Sequence, residues 1–64
     1  MKCKLKVILA ERMMKQSDIA RIVGITDQTL SSIVRGKSEP TLRVAIRIAK
    51  ALNMRVEDIW IEEE

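Results

Sequence analysis

Sixty-four residues, 47% of them apolar and only Trp60 aromatic, allow one small domain with one core and no room for a substrate cavity beside it. The chain has no His, the usual general base at neutral pH, and its single Cys3 excludes an internal disulfide or a multi-Cys zinc site. Gly24 and Gly36 stand too far apart for a phosphate-cradling loop, so the residues predict a non-enzyme with no metal and no cofactor.

The formal charge of +3 conceals a division along the chain. Residues 1–56 hold all twelve Lys and Arg with four acids, a balance of +8; residues 57–64 hold the other five acids and no base, −5. A basic body suggests a polyanionic partner, although a solvated surface would carry the same charges. The apolar run 7–10 behind three lysines is too short for a signal peptide or a membrane span, and a lone thiol fits a reducing compartment. The expected location is cytoplasmic.

The first helix is predicted over residues 4–14. Leu5, Ile8, Leu9, Arg12 and Met13 share one face, with Arg12 burying only its stem. A second covers 17–23, with Ile19, Ala20 and Val23 inward and Asp18 favouring the helix dipole in the first turn. Gly24 ends it, because a helix end commonly needs one left-handed residue; Ile25 then turns back to the core. Thr26 caps a third helix over 27–35. Leu30, Ile33 and Val34 form its apolar face, with Asp27, Gln28, Ser31, Ser32 and Arg35 opposite. Gly36 ends this helix, and 37–40 form a loop.

Thr41 caps a fourth helix that runs to Leu52 and ends at Asn53. Its expected inner stripe is Leu42, Ala45, Ile46, Ala49 and Leu52, with Arg43, Arg47 and Lys50 together on another face. A last short turn over 56–61 presents Ile59, Trp60 and Ile61. No repeat, linker or low-complexity tract interrupts the chain, and no stretch keeps the period-2 alternation of a strand.

Two short helices joined by a Gly-containing turn make a helix-turn-helix signature at about 16–35. Ala20 is small where the helices approach, Gly24 turns the chain, Ile25 plugs the corner, and Leu30 with Ile33 pins the second helix on the first. On Gln16-Ser17-Asp18-Ile19-Ala20, Val23-Gly24-Ile25-Thr26, Arg35-Gly36-Lys37 and Pro40-Thr41, the chain resembles the Cro and phage-repressor-like (XRE) family of helix-turn-helix transcriptional regulators. Ile48-Ala49-Lys50-Ala51-Leu52 and the Ile59-Trp60 pair extend the match, so nearly the whole chain is similar to a DNA-binding domain without an effector domain.

The resemblance implies an all-α bundle of four to five helices of the lambda-repressor-like type, its third helix lying in the DNA major groove. Gln16 matches a residue that contacts phosphate and braces that helix. Thr26, Asp27, Gln28, Ser31 and Ser32 match positions facing base edges or the adjoining backbone. Arg35, Lys37 and Arg43 match positions beside a phosphate strand. Two departures stand out. Many members pair an Arg late in helix one with a Glu late in helix three, where this chain has Leu9 and Val34; both being apolar, no charge is stranded, and the phosphate contact of that Arg is lost. Lys15 replaces a common Ser or Thr cap, leaving Gln16 or Ser17 as its substitute.

The side chains also have plainer readings. Gln28 sits on the groove face, whereas Asp27 could serve helix stability or accept from cytosine N4. Ser31 and Ser32 are small enough to let the helix approach the bases. Arg47 and Lys50 read as a solvated face, Cys3 as inert and the methionines as core filler. Trp60 reads as a core anchor that could also meet a partner.

The leading expectation is a repressor that occupies a pseudo-palindromic operator in double-stranded DNA. It would bind as a homodimer through Ile59, Trp60 and Ile61, three consecutive apolar residues that one short helix cannot bury on one face. The acidic end 62–64 would stay clear of the DNA. The rival is a protein-interaction module on the same fold, an antitoxin-like partner or an adaptor, motivated by the acidic tail, the 59–61 cluster and an exposed Ile22. A membrane-surface peptide is disfavoured, because the apolar residues face one another across four helices.

Overall fold

A computed structural model describes residues 2–62. Five helices follow in order: α1 (Leu5–Glu11), α2 (Gln16–Val23), α3 (Asp27–Val34), α4 (Leu42–Leu52) and α5 (Val56–Ile59). A short antiparallel ribbon of β1 (Lys2–Cys3) and β2 (Trp60–Ile61) ties the two ends together, Lys2 opposite Ile61 and Cys3 opposite Trp60. The Lys4 N–H donates to the Ile59 carbonyl at 2.8 Å and extends this closure. The architecture is all-α, as the helical periodicity predicts, with the ribbon a minor addition.

One apolar cluster holds the helices together, and among the described residues no charged or polar residue is buried. Leu5, Ile19, Leu30, Ile48, Leu52 and Ile59 are its fully enclosed large side chains, so every helix contributes. Leu9 and Val34 are both buried in it, as two apolar residues at those positions require.

The ends of α1 to α4 share one closure. Met13, Gly24, Gly36 and Asn53 all take positive φ, and the residue after each donates back to a carbonyl five residues earlier. Met14 reaches Leu9 at 2.9 Å, Ile25 reaches Ala20 at 3.0 Å, Lys37 reaches Ser32 at 2.9 Å and Met54 reaches Ala49 at 2.9 Å. Thr26 and Thr41 cap α3 and α4 as expected, accepting from the N–H groups of Thr29 and Val44.

Four expectations are corrected. Helix one ends at Glu11, because Met13 closes it in the left-handed conformation; its side chain is therefore 93% exposed rather than on the inner stripe. Lys15 occupies the N-cap of α2 without a side-chain bond, and neither Gln16 nor Ser17 substitutes, since the helix already starts at Gln16. On α4 the buried stripe is Ala45, Ile48, Ala49 and Leu52, while Leu42 is 74% and Ile46 39% exposed. The helix is turned by about 40° from the expected face, which exchanges Ile46 for Ile48. Finally, residues 56–61 do not stay one turn: the chain becomes extended at Trp60, and the alternation of a strand buries Trp60 while Ile61 faces out. Ile59 and most of Trp60 are thus enclosed by their own chain, leaving Ile61, 37% exposed, as the most exposed member of the expected dimer cluster.

Candidate nucleic-acid interface

α2 packs against α3 and α4. The two-helix unit is set by the left-handed Gly24 (φ 86°), after which half-buried Ile25 and the extended Thr26 redirect the chain into α3. A side chain at position 24 would meet no atom within 4 Å, so the requirement for glycine there is conformational rather than steric.

With Leu30, Ile33 and Val34 buried, the rotation of α3 is fixed. At 100° per residue, Gln28, Ser31, Ser32 and Arg35 lie on the side away from the core, flanked by Asp27 and Thr29. Asp27, Gln28 and Arg35 are exposed, and Ser31 and Ser32 are half-buried. The outward face is therefore low in the middle, where the serines lie, and higher at its two ends. Arg35 bends back along the helix, its Nε donating to the Ser31 carbonyl at 3.4 Å.

Thr26 is committed within the chain. Its Oγ1 accepts from the Thr29 N–H at 3.0 Å and donates its own proton to Thr29 Oγ1 at 2.8 Å. These bonds start α3 at Asp27. Thr29 is the polar residue that the sequence reading passes over. It is exposed, at the edge of the α3 face, and its place three residues after a Thr cap was the available signal.

Gln16 is the exposed first residue of α2; among the described residues its side chain makes no hydrogen bond, so no bracing of α3 through it is seen. Lys37 is exposed just after the left-handed Gly36, and Arg43 is exposed in the first turn of α4. The N–H groups of Leu42 and Arg43 have no partner inside that helix, which gives its start a partial positive charge. Cations thus follow α3 in sequence at 35, 37 and 43. The acidic exceptions are Asp27 at the start of α3 and Glu39 in the loop. Among the described residues, no cluster of His, Cys, Asp and Glu could hold a metal ion, and no helix is long and apolar enough to cross a membrane.

The chain is similar to known proteins over its whole length. The profile of the helix-turn-helix family matches residues 5–59. An uncharacterized HTH-type transcriptional regulator of Methanocaldococcus jannaschii is 41% identical, the match covering 100% of this chain and 97% of that protein. The uncharacterized HTH-type transcriptional regulator YgzD of Bacillus subtilis is 40% identical, covering 100% and 98%. One from Archaeoglobus fulgidus is 34% identical, covering 100% and 90%. With α2, the Gly24 turn and α3 inside the matched span, the chain belongs to the XRE-type helix-turn-helix family of transcriptional regulators.

Proposed function

We propose that this DNA-binding regulator is a repressor that occupies a pseudo-palindromic operator as a homodimer, laying α3 in the major groove of each half-site. The observation that carries the reading is the outward face of α3. It is backed by three buried residues and lined by polar side chains in front, with two serines at its middle. Half-buried Ser31 and Ser32 let the helix backbone come close to the base edges, and Gln28 stands where its amide can pair with adenine N6 and N7. Asp27 accepts from a cytosine N4 amine or stays with the helix dipole.

Arg35, Lys37, Arg43 and Gln16 supply phosphate contacts, and the unpaired N–H groups at the start of α4 reinforce Arg43 there. Affinity then comes chiefly from counterion release and specificity from α3. Without an arginine on its first two turns, α3 gives each monomer modest specificity. Two copies reading half-sites roughly 34 Å apart raise it.

An anisotropy titration against duplexes from a genomic fragment library, run at two salt concentrations, tests the reading. Binding that weakens with salt and selects a subset of sequences with two-fold symmetry is expected. Binding that is insensitive to both salt and sequence contradicts it.

A further inference from the structure

α4 is apolar over more of its circumference than one core contact needs. Val44, Ile48, Leu52, Ala45, Ala49, Leu42 and Ile46 span about 200° of arc, against the roughly 100° of an ordinary surface helix. The core covers one part of this arc; Leu42 and Ile46 remain on the surface.

Leu42 is a ridge between two shallow grooves. On one side Pro40, Ala45, Val56 and Trp60 form an apolar floor with Glu57 at its rim, a groove of about 440 Å³. On the other side Ile46 lies among Arg43, Arg47 and Lys50, in a groove of about 540 Å³. The Asp58 carboxylate accepts from the Arg55 N–H at 3.3 Å, which leaves Glu57 as the α5 acid that borders the groove. One apolar ridge therefore separates an acid-rimmed groove from a base-rimmed one.

We propose that this face is a two-fold contact between copies of the chain, with the Leu42 ridges meeting at the axis. A two-fold rotation about that ridge lays the acid-rimmed groove of each copy on the base-rimmed groove of the other. Glu57 then faces the partner's Arg47 and Lys50, and the relation is reciprocal, as an isologous interface demands. Ile46 enters the apolar floor over Val56 and Trp60, so the uncovered part of the α4 arc is buried. This gives the homodimer proposed above a surface centred on α4 that shares only Trp60 with the 59–61 cluster, and it assigns Arg47 and Lys50 a role that the DNA contacts do not use.

Sedimentation equilibrium without DNA tests the contact, so its result stands apart from any result on operator binding. The wild-type chain is expected to dimerise below ~100 μM, a concentration that populates even a weak micromolar dimer. Glu57→Lys and Arg47→Glu, both at exposed positions, should each weaken the dimer at least about tenfold by bringing like charges together. An equimolar mixture of the two variants should recover wild-type association, because each restores the opposite sign to the other. Leu42→Ser should weaken association without affecting the monomer fold, as read by circular dichroism. A monomeric wild-type chain, single variants that associate like wild type, or a mixture that stays dissociated overturns the proposal.

Discussion

The Arg12 guanidinium donates through Nη1 to the carbonyl of Leu52, joining the end of α1 to the end of α4 across forty residues of sequence. The N–H groups of Met54 and Asn53 fold back onto the carbonyls of Ala49 and Lys50, so Arg12 takes up a remaining carbonyl of the last turn. A cation at that end also complements the helix dipole. The contact closes a long loop in a chain too small to have many such contacts.

Replacing Arg12 by Met keeps the apolar stem and removes the charged donor. The loss should be about 1–2 kcal/mol, the lower part of the span for hydrogen bonds to charged groups, because Arg12 is exposed. Urea denaturation of Arg12→Met beside wild type measures it; unchanged stability would show that water satisfies Leu52 equally well.

Met13 holds φ 57° with its side chain almost entirely in solvent, so it bears the steric cost of the left-handed conformation with no packing in return. Met13→Gly should stabilise the fold by about 0.5–1 kcal/mol, the relief of strain being partly offset by the greater freedom of glycine when unfolded. A rise in Tm is the expected outcome. Gly24→Ala should lower Tm by the same reasoning in reverse.

The Thr26 hydroxyl bonds twice to Thr29 and leads α3 out of the turn. Thr26→Ala should cost about 1 kcal/mol of stability through loss of the cap, with Thr26→Ser close to wild type. Equal melting of all three proteins would mean that Gly24 and the core alone position α3.

Phosphate and base contacts separate under salt. Lys37→Ala should weaken binding to every duplex alike and lower the salt slope by about one, because one counterion fewer is released. Titrations over a salt series check this; a loss confined to one sequence would move Lys37 from the phosphates to a base edge.

The helices, both threonine caps and the Gly24 and Gly36 stops were legible because each rests on local chemistry: periodicity, a hydroxyl at a helix start, a residue without Cβ at its end. The Met13 stop was not, since nothing in a methionine advertises a positive φ. The rotation of α4 was equally hidden, because Leu42, Ile46 and Ile48 all lie on an apolar arc too wide to show which part faces inward, and only packing against α2 and α5 decides it. Ile59, Trp60 and Ile61 are too much for one helix face. The resolution, a switch to a strand paired with Lys2 and Cys3, depends on residues at the other end of the chain. On α3 the pattern gave the outward residues but not how the Thr26 hydroxyl is used, which turns on the rotamer of Thr29.

Base reading by α3 rests above all on Gln28, exposed on its outward face. Wild-type and Gln28→Ala proteins are titrated by anisotropy at one salt concentration, against a selected site and against a scrambled duplex of the same length and composition. The substitution is expected to cost about 1–3 kcal/mol on the selected site and almost nothing on the scrambled one, so that discrimination between the two collapses. Equal losses on both duplexes, or no preference by the wild-type protein for either, would contradict it.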